Sequence, residues 1–127
     1  MELKPRESVI LVEEFDSQIK WYCDVLKFKV VKVFDVDFHY CNLENEAGIK
    51  LGIALASEMQ VELKDRAQNS VILQFEVVDV KVFFAHIEKN GGTITGKASY
   101  NKKDELWYGS FADPEGNSHW VVDGNCP

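Results

Sequence analysis

Apolar positions along the chain change period twice, in the same order each time. From Ser8 the run SVILV is continuous, Glu13-Glu14 interrupts it, and Phe15, Ile19, Tyr22 and Leu26 then recur every three or four residues. That spacing predicts an amphipathic helix over 15–26, with Asp16 or Ser17 near its start. The period then shortens to two, or gives way to continuous apolar runs, and predicts strands at 29–36, 38–43 and 49–54. From Ser70 the chain repeats this order. SVILQFEVVDV is followed by Val80, Phe83, Phe84 and Ile87 at helical spacing, with Asp79 as N-cap and Gly91-Gly92 as the stop. Strands follow at 93–97, 107–112 and 118–122. Turns are expected at 35–37, 44–48 and 113–117, where Asp-Pro-Glu-Gly-Asn supplies residues that preset φ or accept left-handed backbone.

Superposing Val12 on Val77 brings Glu14 onto Asp79, Ile19 onto Phe84 and Tyr22 onto Ile87, so the second copy starts about half a chain after the first. The expected fold class is α+β: two tandem βαβββ modules, at about 5–57 and 70–124, joined by a polar link over 58–69. One helix covers only one face of such a sheet. Curling the sheet and pairing it with its duplicate, or with a second chain, would make curled mixed and antiparallel sheets around a cleft. Small ligands commonly occupy such clefts.

Composition narrows the function classes. A formal charge of −7 excludes a phosphate-neutralising nucleic-acid binder, and Lys102-Lys103 is cancelled at once by Asp104-Glu105. No apolar run reaches the roughly 20 residues that span a bilayer, and MELKPRES lacks the apolar segment of a secretory signal. No membrane partner is expected. Cys23, Cys41 and Cys126 are odd in number and show no C-x-x-C spacing, as expected of reduced thiols in the cytoplasm. The acidic balance favours solubility and, secondarily, a cationic ligand.

Candidate chemistry is sparse. His39 alternates with Phe38 and Tyr40 and should face away from them. His86 lies off the apolar stripe of its helix, on the solvent side. His119 and Trp120 are strand neighbours and must point to opposite faces. Glu13-Glu14 complements a helix N-terminus. No nucleophile elbow, phosphate-binding glycine loop or Cys–His signature occurs.

The segments ValGluGluPheAsp (12–16), IleLysTrpTyr (19–22), ValLeuLysPheLysVal (25–30), PheGluValValAspVal (75–80), Gly91-Gly92 and PheAlaAspProGluGlyAsn (111–117) together resemble the vicinal oxygen chelate superfamily. This group includes glyoxalase, bleomycin-resistance proteins and extradiol dioxygenases. The similarity spans nearly the whole chain; Lys27 departs from the usual glycine after the first helix. The resemblance implies the glyoxalase/bleomycin resistance-like fold and a homodimer, closed within one chain or between chains. It also implies divalent-metal ligands at the positions of Glu7, Ile72 and Trp120. Neither isoleucine nor tryptophan gives a metal a lone pair, and one carboxylate is not a facial set. The expectation is therefore no cofactor and no metal. A small organic ligand, aromatic or cationic, would be held in an aromatic-lined cleft by Glu7, Phe38, Tyr40, Phe75, Trp107, Phe111 and Trp120. Only one of Trp107 and Tyr108 can point inward. The alternative is a metal-dependent lyase, isomerase or dioxygenase of the same superfamily. Cofactorless acid–base chemistry by Glu7 or Tyr40 is a third reading.

Overall fold

The computed structural model describes the backbone of residues 1–127 and every side chain except that of Ala67. The chain forms two compact units, Met1–Lys64 and Asp65–Pro127. In the first, strand β1 (Ser8–Val12) leads to helix α1 (Phe15–Asp24) and then to β2 (Lys29–Phe34), β3 (Tyr40–Glu44) and β4 (Lys50–Leu55). The sheet order is β1-β4-β3-β2, with β1 parallel to β4 and the other pairs antiparallel. The core follows the expected alternation. Ile10 and Val12, Cys41 and Leu43, and Leu51 and Ile53 are buried, as are Phe15, Tyr22 and Val25 of the α1 segment.

Helix α1 stops two residues short of the expected end because Lys27 takes φ of +63°. The Phe28 amide then donates to the Tyr22 carbonyl at 3.1 Å, a closure usually built on glycine. Lys27 stands exposed and its Nζ caps the Asp24 carbonyl at 2.8 Å. At the outer edge of the sheet, β2 exposes Val30, Val31 and Val33, interspersed with Lys29 and Lys32. Its pairing with β3 slips between Val30 and Lys32, leaving Val31 as a bulge.

The second unit repeats the plan with β5 (Gln74–Glu76), α2 (Val80–Lys89), β6 (Thr93–Asn101), β7 (Leu106–Ala112) and β8 (Ser118–Val122), in the order β5-β8-β7-β6. Asp79 caps α2 as expected, accepting from the Val82 amide at 3.1 Å. Gly91, at φ of +84°, ends it. Val80, Phe84 and Ile87 are buried. The apolar run before Phe75 is mostly irregular, because ladder pairing with β8 begins only at Gln74 and takes in Gln74, Phe75 and Glu76. Conversely, β6 extends past the expected 93–97 through two register shifts on either side of Gly96. In the turn before β8, the Asp113 carboxylate accepts from the amides of Glu115 and Asn117 and from Asn117 Nδ2, at 2.8–3.0 Å. The expected link holds a single 3-10 turn, Arg66–Gln68, and Arg66 donates to Glu115 Oε1 at 3.0 Å.

Candidate functional site

In each unit the helix covers one face of the sheet, and the residues of alternate parity stand on the other face. On the first unit's open face the polar centre is Glu7, just ahead of β1. Its carboxylate accepts from the Tyr40 hydroxyl and, at 2.9 Å to each oxygen, from Asn42 Nδ2. Gly52, paired with Asn42 in the sheet, makes the room. A Cβ there would land on the Tyr40 hydroxyl and 2.6 Å from Glu7 Oε2. Burial first, then the hydrogen bond to Glu7, pushes the Tyr40 phenol up to about 12, so it is a fixed donor at neutral pH. Beside this centre, Phe34 and Phe38 stack with centroids 5.5 Å apart, and Lys32 Nζ lies 4.5 Å from the Phe34 centroid. Phe38 is 45% exposed. His39 turns away as alternation predicts, edge-on to Phe15 at 5.2 Å and paired with Glu58 at 2.7 Å. Alternation from Tyr40 along β3 also leads to Asn42, which the sequence reading passed over.

On the second unit, His119 and Trp120 part as neighbours on a strand must. His119 is buried, 5.4 Å from the rings of both Phe75 and Phe111. Burial takes its imidazole down to about 4, against a smaller opposing pull from Asp113, so it stays neutral at physiological pH. Phe83 of α2 meets Phe111 edge-on at 5.1 Å, and Lys81 Nζ lies 4.1 Å over Trp107. Phe75, Trp107 and Phe111 therefore stand on the helix-covered side, which corrects their expected place along a ligand cleft. The reason is register: Phe111 pairs with His119, and Ser110 pairs with Trp120. A five-residue turn between Ala112 and Ser118 dictates that pairing, so counting outward from it would have placed both aromatics correctly.

The open face of this sheet carries Trp120, 51% exposed, beside a depression of about 490 Å³. Gln74, Asn101, Leu106, Tyr108 and Ser110 share the lining. Of the pair Trp107-Tyr108, the tyrosine is the one on the open side. Gln74 and Ser110 flank Trp120 as its register partners on β5 and β7. Thr95 Oγ1 donates to Ser110 Oγ at 2.8 Å and lies 3.3 Å from Ser118 Oγ, forming a short chain of hydroxyls. Gly96 leaves space for it, since a Cβ would come within 2.5 Å of Ser110 Oγ.

The implied divalent ion does not fit these residues. Both oxygens of Glu7 already accept hydrogen bonds, Ile72 has no donor atom, and Trp120 presents only an indole. Among the described residues no three His, Cys, Asp or Glu side chains stand grouped to hold a metal. What the two faces offer is stacking surface and fixed hydrogen-bonding groups.

Comparison with known proteins agrees with this architecture. No curated protein matches the chain in sequence. Among solved structures, the genomically encoded fosfomycin resistance protein of Listeria monocytogenes superposes with a TM-score of 0.78 at 12% identity, covering 98% of this chain and 95% of that one. A glyoxylase/bleomycin resistance protein/dioxygenase domain from Frankia sp. EAN1pec gives 0.75 at 19% identity, covering 97% and 93%. A glyoxalase/bleomycin resistance protein/dioxygenase family enzyme from Burkholderia phytofirmans PsJN gives 0.73 at 15% identity, covering 92% and 95%. These likenesses establish the fold. The family model of the Glyoxalase/Bleomycin resistance protein/Dioxygenase superfamily matches residues 7–121, and with two βαβββ units in tandem the chain belongs to that superfamily.

Proposed function

We propose that the protein is a metal-independent small-molecule-binding member of its superfamily, holding an aromatic or cationic organic ligand against an aromatic surface. The observation that carries this reading is Trp120. A half-exposed indole stands where the family pattern implies a metal-binding carboxylate, beside a depression of a size usual for small-molecule sites. Indole faces bind planar or cationic groups, worth roughly 0.5–2 kcal/mol per cationic contact. Glu7, held by Tyr40 and Asn42, supports the same role as an oriented acceptor for a donor group of the ligand. Fosfomycin and bleomycin resistance proteins are among the similar structures, which is in keeping with ligand holding. A homodimer working in the cytoplasm belongs to the same proposal, and sedimentation of the purified protein tests the dimer.

The binding role is tested by thermal shift against a panel of aromatic and cationic compounds in excess chelator. Saturable stabilisation there, lost in Trp120→Ala, is the expected result. Stabilisation by divalent metal alone, together with one tightly held transition metal per chain by elemental analysis, would replace the proposal with a metalloenzyme.

A further inference from the structure

Resting on that binding role, we infer that the depression beside Trp120 selects an uncharged, ring-containing moiety with an amide-like polar edge over its cationic and anionic isosteres. The lining offers an indole face, the amides of Gln74 and Asn101, the hydroxyls of Tyr108 and Ser110, and the alkyl surface of Leu106. Lysine, arginine, histidine, aspartate and glutamate are all missing from it. The cation-over-ring contact in this unit, Lys81 on Trp107, lies on the helix-covered side of the sheet.

An ion entering the depression gives up part of its hydration, and none of the lining side chains carries a charge to restore it. A cation stacked on a half-exposed ring recovers only about 0.5–1 kcal/mol. A neutral ring loses little on leaving water and keeps the whole stacking gain. Its polar edge decides the rest. Gln74 and Ser110 pair with Trp120 from either side, and directly opposed residues on adjacent strands stand roughly 5 Å apart at Cβ. A ring lying on the indole therefore has its rim beside a primary amide and a hydroxyl. Primary amides carry donor and acceptor together. An amide-edged ligand can satisfy both. A carboxylate leaves the N–H donors of the pocket served and its C=O acceptors facing a negative charge, and an amidinium does the reverse.

The test is a titration of 2-naphthamide, 2-naphthamidinium and 2-naphthoate, three isosteres differing in charge, followed through the indole N–H resonance of Trp120, assigned with Trp120→Phe. The deciding measurement is made in the Glu76→Gln protein, so that no preference for the cation can come from the carboxylate two residues beyond Gln74 on β5, opposite the lining residue Val122. The amide is expected to bind at least fivefold more tightly than either ion, with the advantage falling below twofold in Gln74→Ala/Asn101→Ala. A smaller advantage in Glu76→Gln, or a preference for either ion, overturns the inference and leaves the binding role standing. If none of the three moves the Trp120 resonance at millimolar concentration, the binding role and the inference fall together.

Discussion

Gly109 lies where α2 presses on the second sheet, and Gly109→Ala measures that packing. A Cβ at this position would lie 2.7 Å from two ring carbons of Phe84 and 2.8 Å from the Gly96 carbonyl oxygen. Ordinary contacts begin at 3.4 Å, so the shortfall on the ring side is about 0.7 Å. Neither neighbour can yield cheaply. Phe84 is buried between Val80 and Ile87 on α2, and the oxygen belongs to the backbone of the adjacent strand. Inserting one methyl into a filled core typically destabilises by about 1–3 kcal/mol, and the double obstruction places this substitution in the upper half of that range. Urea unfolding followed by far-UV circular dichroism should show a lowered midpoint at unchanged m-value. Gly124→Ala is the control. Its nearest neighbour would be Glu76 Oε2 at 3.8 Å, and it should be neutral within about 0.5 kcal/mol. Adding Phe84→Leu to Gly109→Ala should recover part of the loss, giving a coupling of about 0.5–3 kcal/mol. If Gly109→Ala is as neutral as the control, or if Phe84→Leu relieves nothing, α2 does not press on this face. The assignment of Trp120 to the uncovered face would then lose its support.

Two further outcomes follow from the same geometry. His119 titrates near 6.5 unfolded and near 4 folded, so the unfolded chain binds the extra proton as pH falls. The contribution is whole above pH 6.5 and is lost progressively down to pH 4, by about 3 kcal/mol in all, and denaturation of His119→Phe should lack that part of the slope. Truncation should also separate stability from binding along the β7–β8 hairpin: Phe111→Ala, fully buried, should destabilise by about 3–5 kcal/mol. Trp120→Ala should instead leave a folded protein that no longer shifts with ligand in the thermal assay.

The sequence made the scaffold legible because burial on a helix or strand leaves a period. Phe15 and Tyr22, and Val80, Phe84 and Ile87, fall at helical spacing and are buried. Asp79 announces its cap, and the stop after α2 is written in Gly91-Gly92. The site was legible only in part. Parity along β8 separates His119 from Trp120, but aromatics occur on both faces of β7, so residue type alone could not tell Tyr108 from Trp107 or Phe111. That distinction lives in the pairing between strands. Gln74, Asn101 and Ser110 have no mark of their own in the sequence. They matter because β5, β6 and β7 bring them around one indole.

The exposed valines of β2 carry a consequence for the fate of the folded protein in concentrated solution. An outer strand with three such residues would ordinarily offer a template on which another chain could add and propagate. Here the slip at Val31 breaks the ladder of hydrogen-bonding groups, and Lys29 and Lys32 would bring ammonium groups together in a parallel in-register self-pairing. Irregularity and like charge thus keep an apolar rim from seeding fibres, and replacing both lysines with threonine while regularising the strand would remove that protection.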